Sequence, residues 1–325
     1  MPEMVAIRVN CDKDDDFTTI WSKILDELME VDIGPTGKRA KRPISARFQG
    51  KKITPNDVKQ SLTTAGGATR FVLIIDEFDR PQGRASALFA DTIKTLSDHD
   101  VPATIVLVGV ADSVSELMRE HASVERALVQ VPMPRMSDSE LAQIVEGGLT
   151  RVSMSITERA LRHITDLSQG LPHYTHLLGL NAGLEANEHR RTEVIPHDVD
   201  VAIKRAVEKA QESIKQAHYD ATVSPRRDNL FTHVLLACAL TKPDARGSFS
   251  AAEIRDQIRR ITKKDYDIPA FSQHLNDFCD QKRGPILHRM GSPRRYRFRF
   301  INPLMQPYVI MHGLSKEIIS NSEIR

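Results

Sequence analysis

The sequence predicts an α/β protein in which a parallel-sheet core is followed by an all-helical segment and a C-terminal winged helix. Three observations carry that expectation. The first part of the 325 residues alternates short apolar runs with helical patterns, the signature of a parallel sheet covered by helices. Past Pro134 the apolar residues recur only at helical spacing. From Asn229 onward, three helical stretches precede an alternation of aromatic and basic residues, the pattern of a hairpin with one buried face.

Taken in order, Val5-Ala-Ile-Arg-Val9 reads as a strand. Asp14, Asp15 and Asp16 then precede Phe17, Ile20, Trp21, Ile24, Leu25 and Leu28, a helical stripe with carboxylates at its positive N-terminal end. The stretch 38–52 holds seven basic residues and no acidic one and fits neither period, so it is expected to be an exposed insertion. Phe71-Val-Leu-Ile-Ile75 is unbroken in apolar character, as suits a central parallel strand buried on both faces. A helix is expected over 85–96, a second buried strand over 103–110, a helix over 113–128 and a short strand over 128–131.

In the helical segment, Ser137-Asp-Ser-Glu140 and Ser155-Ile-Thr-Glu158 both match the capping box that satisfies free N–H groups at a helix start. Pro172 opens a helix to about residue 188, and Pro196 opens one long helix striped by Val199, Ile203, Ala206, Val207, Ala210 and Ile214. The final segment is expected to hold helices over 229–240, 250–261 and 269–279, then a hairpin over 286–301 turning at Met290-Gly-Ser-Pro293. Period two places Tyr296, Phe298 and Phe300 on its core face and Arg295, Arg297 and Arg299 outside. The expected domains are thus 1–135, 136–227 and 228–325.

Composition bounds the function. With 40% hydrophobic and 27% charged residues, each segment can bury a core, which excludes a disordered or fibrous chain. The start lacks a basic leader, and no apolar run approaches the roughly 20 residues that span a bilayer, so a cytoplasmic location is expected. Cys11, Cys238 and Cys279 are widely separated, with no metal-ligand spacing, and read as reduced packing residues. The net charge of +2 conceals an asymmetry: residues 229–325 hold 16 Lys or Arg against 9 Asp or Glu, leaving 29 against 34 in residues 1–228. A basic C-terminal segment points to a polyanionic partner.

The window with the most chemistry is Phe71-Val-Leu-Ile-Ile-Asp-Glu-Phe-Asp79. A buried strand ending in Asp76-Glu77 sets two carboxylates at the C-terminal edge of a parallel sheet, where α/β proteins bind ligands. The same pattern also arises when a buried strand simply runs into an acidic helix cap. The strand over 103–110 ends in Ala111-Asp112-Ser113, a polar pair level with the acidic one.

With the helical segment after it and Gly170-Leu-Pro-His173 at a helix start, this order of parts resembles the AAA+ P-loop ATPases, in particular the replication-initiator, origin-recognition-type and transposition-helper branch. The resemblance covers roughly residues 5–312. It implies an ATP-hydrolysing core, a helical lid and a C-terminal winged helix, with ATP and Mg²⁺ as cofactors and a homo- or hetero-oligomer as the assembly. It makes 71–77 the Walker B strand, with Asp76 holding Mg²⁺ through water and Glu77 polarising the attacking water. Asp112 or Ser113 falls at the sensor-1 position. His173 stands in the sensor-2 region, where many relatives carry an arginine, and Arg126 is the arginine-finger candidate, or else a solvated arginine beside Glu125.

One part of that pattern is missing. A phosphate-cradling loop needs Gly-x-x-x-x-Gly-Lys-Ser/Thr between a strand and a helix, and no segment has it; Gly34-Pro-Thr-Gly37-Lys38 ends in Arg39, and Gly66-Gly67 precedes a strand. The resemblance makes Val5 to Val9 the second core strand, so the expectation is an N-terminally incomplete core whose first strand and phosphate loop lie ahead of Met1. The alternative is a non-catalytic DNA- or protein-binding adaptor on a degenerate scaffold. For the winged helix, eight basic and no acidic residues over 281–316 nominate Arg294, Arg295, Arg297 and Arg299 as DNA-backbone contacts; a protein-contact role for the same module stays open. The histidines form no site by spacing.

Overall fold

The computed structural model describes residues 4–33, 39–66, 69–81, 84–109, 127–131, 133–225, 229–244, 247–292 and 295–324. The chain divides into two compact units, Met1–Pro132 and Met133–Arg325.

The first unit is built on a three-stranded parallel sheet of β1 (Met4–Asn10), β4 (Arg70–Asp76) and β5 (Ala103–Leu107), in the order β1-β4-β5. Register aligns Ile7 with Leu73 and Asn10 with Asp76, then Leu73 with Ile105. One face carries Ile7, Val9, Phe71, Leu73 and Ile75, all buried. Against it pack α1 (Phe17–Asp26) and α3 (Ala85–Asp98), through Phe17, Trp21 and Phe89. The ring of Phe89 meets Phe17 at 5.2 Å, Trp21 at 5.8 Å and Phe78 at 5.0 Å between centroids, spacings at which edge and offset contacts add to apolar burial. Asp16 caps α1 by accepting from the Thr19 N–H at 2.9 Å.

The opposite face of this sheet departs from the expected double burial. Met4, Val106 and Val108 are exposed, and Val72 and Ile74 only half-buried. An apolar run in sequence says that both faces are apolar; it does not say that both are covered.

Three further features differ from or add to the expected elements. The basic stretch, expected only as an exposed insertion, holds regular structure: β3 (Arg39–Pro43) pairs antiparallel with β2 (Met29–Ile33), and a 3-10 turn over Ile44–Phe48 buries Ile44. Its cations hold Glu30, which receives both Arg42 and Arg47. The helix α2 (Pro55–Gly66) has no counterpart in the expected elements, although Thr54 and Asp57 cap it reciprocally. Residues 128–131 form no strand, and Val129 and Val131 stand exposed, with no ladder partner among the described residues.

The second unit is mainly helical. In its first half run α4 (Asp138–Thr150), α5 (Glu158–Ser168), α6 (Pro172–Glu188), α7 (Pro196–Glu208) and α8 (Glu212–Thr222). The Ser137 capping box forms as expected, Glu140 accepting from the Ser137 N–H at 2.8 Å. The second one does not: Ser155–Ile156 is a short strand, β6, parallel to β7 (Glu193–Val194), and Thr157 caps α5 instead. The single long helix after Pro196 is two, α7 and α8, parted at Gln211, whose backbone is extended. Lys215 donates to the Glu208 carbonyl at 2.7 Å, satisfying a C-terminal acceptor that the continuous helix would have used itself.

Its second half holds α9 (Phe231–Leu240), α10 (Ala251–Thr262) and α11 (Ile268–Asp277) with a three-stranded antiparallel sheet ordered β8 (Phe249–Ser250), β10 (Arg297–Phe300), β9 (Leu287–Met290), whose β8 lies between α9 and α10 in sequence. A last helix, α12 (Met305–Ser315), is buried almost throughout. It is buried on most sides, and such a helix lacks the one-sided period that marks amphipathic ones. Its Gln306 donates to the Ala239 carbonyl at 2.9 Å, and Leu304 accepts from the Tyr174 hydroxyl at 3.0 Å. One hydrophobic cluster runs from Val145 to Ile319, so the helices of both halves share a core. The free thiols of Cys11 and Cys279 are pushed up to about 11, chiefly by burial. No helix among the described residues is long and apolar enough to cross a membrane.

Candidate functional site

Period two along β1 and β4 brings Arg8, Asn10, Ile74 and Asp76 to the same face of the sheet. Asp76 ends the central strand, its carbonyl accepting from the Cys11 N–H at 2.9 Å. Arg8, diagonally across the ladder, donates to Asp76 Oδ2 at 2.7 Å. The other oxygen, Oδ1, accepts from the Glu77 N–H at 2.9 Å. Arg8 first, and then that N–H, holds the Asp76 carboxyl below the ordinary carboxylate range.

Glu77 adopts the left-handed region, with φ of 56°, a conformation uncommon outside glycine. The turn is held on its far side by Phe78, whose N–H donates to the Val108 carbonyl at 2.9 Å and whose ring is buried against Phe89. That strained turn points the two carboxylates apart: Glu77 Oε1 meets Arg80 at 2.8 Å, while Asp76 faces Arg8. Beside them, at the end of β1, Asp15 accepts from Lys23 at 2.6 Å and from the Asp12 N–H at 2.7 Å. Burial opposes ionisation of Asp15, but these bonds outweigh it and its carboxyl is lowered. Among the described residues no three metal-ligating side chains converge.

The fit to a magnesium nucleotide is therefore uneven. A carboxylate accepts about four hydrogen bonds and Asp76 uses two, so it keeps acceptor capacity for a metal-bound water. For the phosphates, the sequence contains no phosphate-loop motif. The residues present fit the metal half of the cofactor and not its phosphates.

Asp112, Ser113 and Arg126 are outside the described residues, as is Arg294. His173 is exposed in the first turn of α6, its ring edge-on to Tyr174 at 5.3 Å. Before it, Gly170 has φ of +77°, and a Cβ there would lie 2.6 Å from Arg135 Cβ. Arg135 donates to the Gln169 carbonyl at 2.6 Å. Sequence reasoning passes over Arg135, and also Arg8, whose place beside Asp76 depends on the pairing of two distant strands.

In the C-terminal sheet Phe298 and Phe300 are buried, as the alternation expects. Arg295 is exposed and lies before β10 begins. Arg297 bonds inward, to Ser248 Oγ at 2.8 Å and Asp244 at 3.1 Å. Arg299 is half-buried. On α11, Asn276 accepts from Arg289 at 2.9 Å and Gln273 donates to Asp277 at 2.7 Å.

These features define a parallel α/β protein with an acidic pair at the C-terminal edge of its central strand, joined in one chain to a mainly helical unit that carries a small antiparallel sheet. No family model matches the chain, and no curated protein matches it. Solved structures do. The chain is similar to the ORC2 protein of Aeropyrum pernix in ADPNP and ADP complexes, at 16% identity and a TM-score of 0.48, covering 99% of this chain and 79% of that one. It is similar to Cdc6p of Pyrobaculum aerophilum at 13% identity and a TM-score of 0.42, covering 98% and 81%. It is also similar to the RuvB Holliday junction branch migration motor of Thermotoga maritima at 15% identity and a TM-score of 0.39, covering 78% and 73%.

Proposed function

We propose that this chain is a AAA+-type scaffold that couples the nucleotide state of its first unit to engagement of DNA or a protein complex by its second. The observation that carries the reading is Asp76-Glu77 at the end of the central parallel strand, with Glu77 set in a left-handed turn. In this reading Asp76 holds a Mg²⁺-bound water and Glu77 orients the water that attacks, while ATP supplies the bond that is cleaved. Asp112, Arg126 and His173 are the further candidate residues of this reading. The domains proposed are the core 1–135, the lid 136–227 and the winged helix 228–325. Hydrolysis needs a phosphate cradle that these 325 residues do not contain.

The test uses two chains: residues 1–325 alone, and the same residues with a strand and phosphate loop placed ahead of Val5. In the longer chain Glu77→Gln retains ATP binding and slows hydrolysis by about 10²–10⁴-fold, the range of a lost general base. Equal turnover in the variant removes Glu77 from the mechanism.

A second reading, a non-catalytic adaptor, is supported by the pairing of both acids with arginine, Asp76 with Arg8 and Glu77 with Arg80. It predicts that the longer chain neither binds nor hydrolyses ATP. In either reading the DNA contact is proposed for the basic C-terminal sheet, led by the exposed Arg295 with Arg294 and Arg299. Replacing Arg295 and Arg299 with alanine should flatten the salt dependence of duplex binding by about one unit of slope for each phosphate no longer neutralised; an unchanged slope points to a protein partner.

A further inference from the structure

The second unit has a cleft that the proposed function does not use. On α5, Arg159, Arg162, His163 and Asp166 stand at i, i+3, i+4 and i+7, which sets them in one stripe along the helix. That stripe lines a cleft of ≈ 620 Å³, faced by Asp200 on α7 and by Asn321 in the C-terminal 3-10 turn. The volume lies in the range of small-molecule sites.

Its chemistry is divided. Arg159 is exposed, and Arg162 is held by one carboxylate on the same helix, Glu158 at 2.7 Å; an exposed i,i+4 pair of this kind contributes little and is readily exchanged. Two guanidinium groups a helical turn apart can each give a forked pair of N–H donors to an anion. The floor is different. The His163 side chain is 10% exposed, with Nδ1 4.0 Å from Asp200 Oδ1; its Nε2 is closed off from solvent, so the ring forms part of the wall rather than a ligand contact. Asp166 and Asp200 on the same walls repel a continuous polyanion, so the arrangement suits a small ligand rather than a nucleic-acid backbone.

We propose that this cleft binds a small phosphate monoester carrying hydroxyl groups, with Arg159 and Arg162 gripping the phosphate and Asp200 and Asn321 meeting the hydroxyls beside the His163 ring. The inference is independent of the nucleotide reading of the first unit, because every residue it uses belongs to the second.

Ribose 5-phosphate is the probe, followed by ¹⁵N-histidine NMR on the full chain, with ribose and inorganic phosphate as the other two arms. Ribose 5-phosphate should move the His163 ring resonances with half-saturation at about 1 mM, while each partial probe binds at least about tenfold more weakly. The Arg159→Ala/Arg162→Ala double variant, whose side chains carry no core packing, should weaken the effect about tenfold or more; Arg151→Ala, exposed at the C-cap of α4, should not. An unmoved His163 at about 20 mM probe, a response preserved in the double variant, or equal binding of inorganic phosphate overturns the proposal.

Discussion

The two units solve the same burial problem differently. In the second, helices of both halves and the antiparallel sheet feed one cluster that reaches from Val145 to Ile319 and takes in the buried α12. In the first, among the described residues, a three-stranded parallel sheet buries one face, around Trp21 and Phe89, while Met4, Val106 and Val108 are exposed on the other. Parallel sheets are ordinarily covered on both sides. The acidic edge thus sits on the unit with the thinner core, where the turn holding Glu77 depends on one aromatic cluster.

That dependence can be broken most strongly at Phe89. It is fully buried and touches Phe17, Trp21 and Phe78, so Phe89→Ala should cost about 3–5 kcal/mol. Amide hydrogen exchange should show the loss in β4 and α1 and leave α9 protected. A uniform loss across both units would end the distinction.

Acid should act in the opposite sense, on the second unit. His163, His218, His233, His274 and His312 all lie there, and burial lowers each of them from the ordinary 6.5. His218, tilted against His312 at 4.4 Å between ring centroids, is lowered to about 4, by burial first and then by its neighbour's charge. Lys316 adds to the lowering of His312, whereas Asp200 and Asp277 partly offset it at His163 and His274. A lowered folded pKa means that the unfolded chain takes up the protons first. Stability is therefore full above about pH 6.5 and declines as the pH falls toward 4. His99 of the first unit is exposed. Exchange protection in α8 and α12 should fall through this window before that in β4; parallel loss would show that the buried histidines do not govern it.

The smallest effect sharpens the site itself. Arg8→Ala removes the leading cause of the low Asp76 pKa, so the carboxyl should titrate nearer its ordinary range by ¹³C NMR. The stability that Arg8 confers through Asp76 is present above the unfolded pKa and is lost as the pH falls through the folded one. The pair is too exposed for a large change in folding. A carboxyl unmoved by the substitution would mean that the Glu77 N–H, not Arg8, sets it.

Much of this is legible in the residues. The apolar run 71–75, the Pro172 helix and the Ser137 box form where local chemistry says they should, because strand burial, a fixed proline φ and a reciprocal cap are short-range effects. What fails depends on partners. Ser155 carries a capping signature yet is drawn into a strand by pairing with β7, and the striped helix after Pro196 breaks where Lys215 reaches back to Glu208. The basic stretch reads as an exposed insertion because the cross-strand pairs of β2 and β3 leave no period in either strand alone.

For the candidate site the division is the same. Two adjacent carboxylates after a buried strand, the lack of a phosphate-loop motif and the gathering of basic residues toward the C-terminus can all be read from the residues. Folding is what sets Arg8 against Asp76, puts Glu77 in a left-handed turn, turns Arg297 inward and gathers Arg159, Arg162 and Asp200 around one cleft. Residue type and spacing set which groups the chain can offer. Which groups meet is set by register between strands and packing between helices far apart in sequence, and those are properties of the folded chain alone.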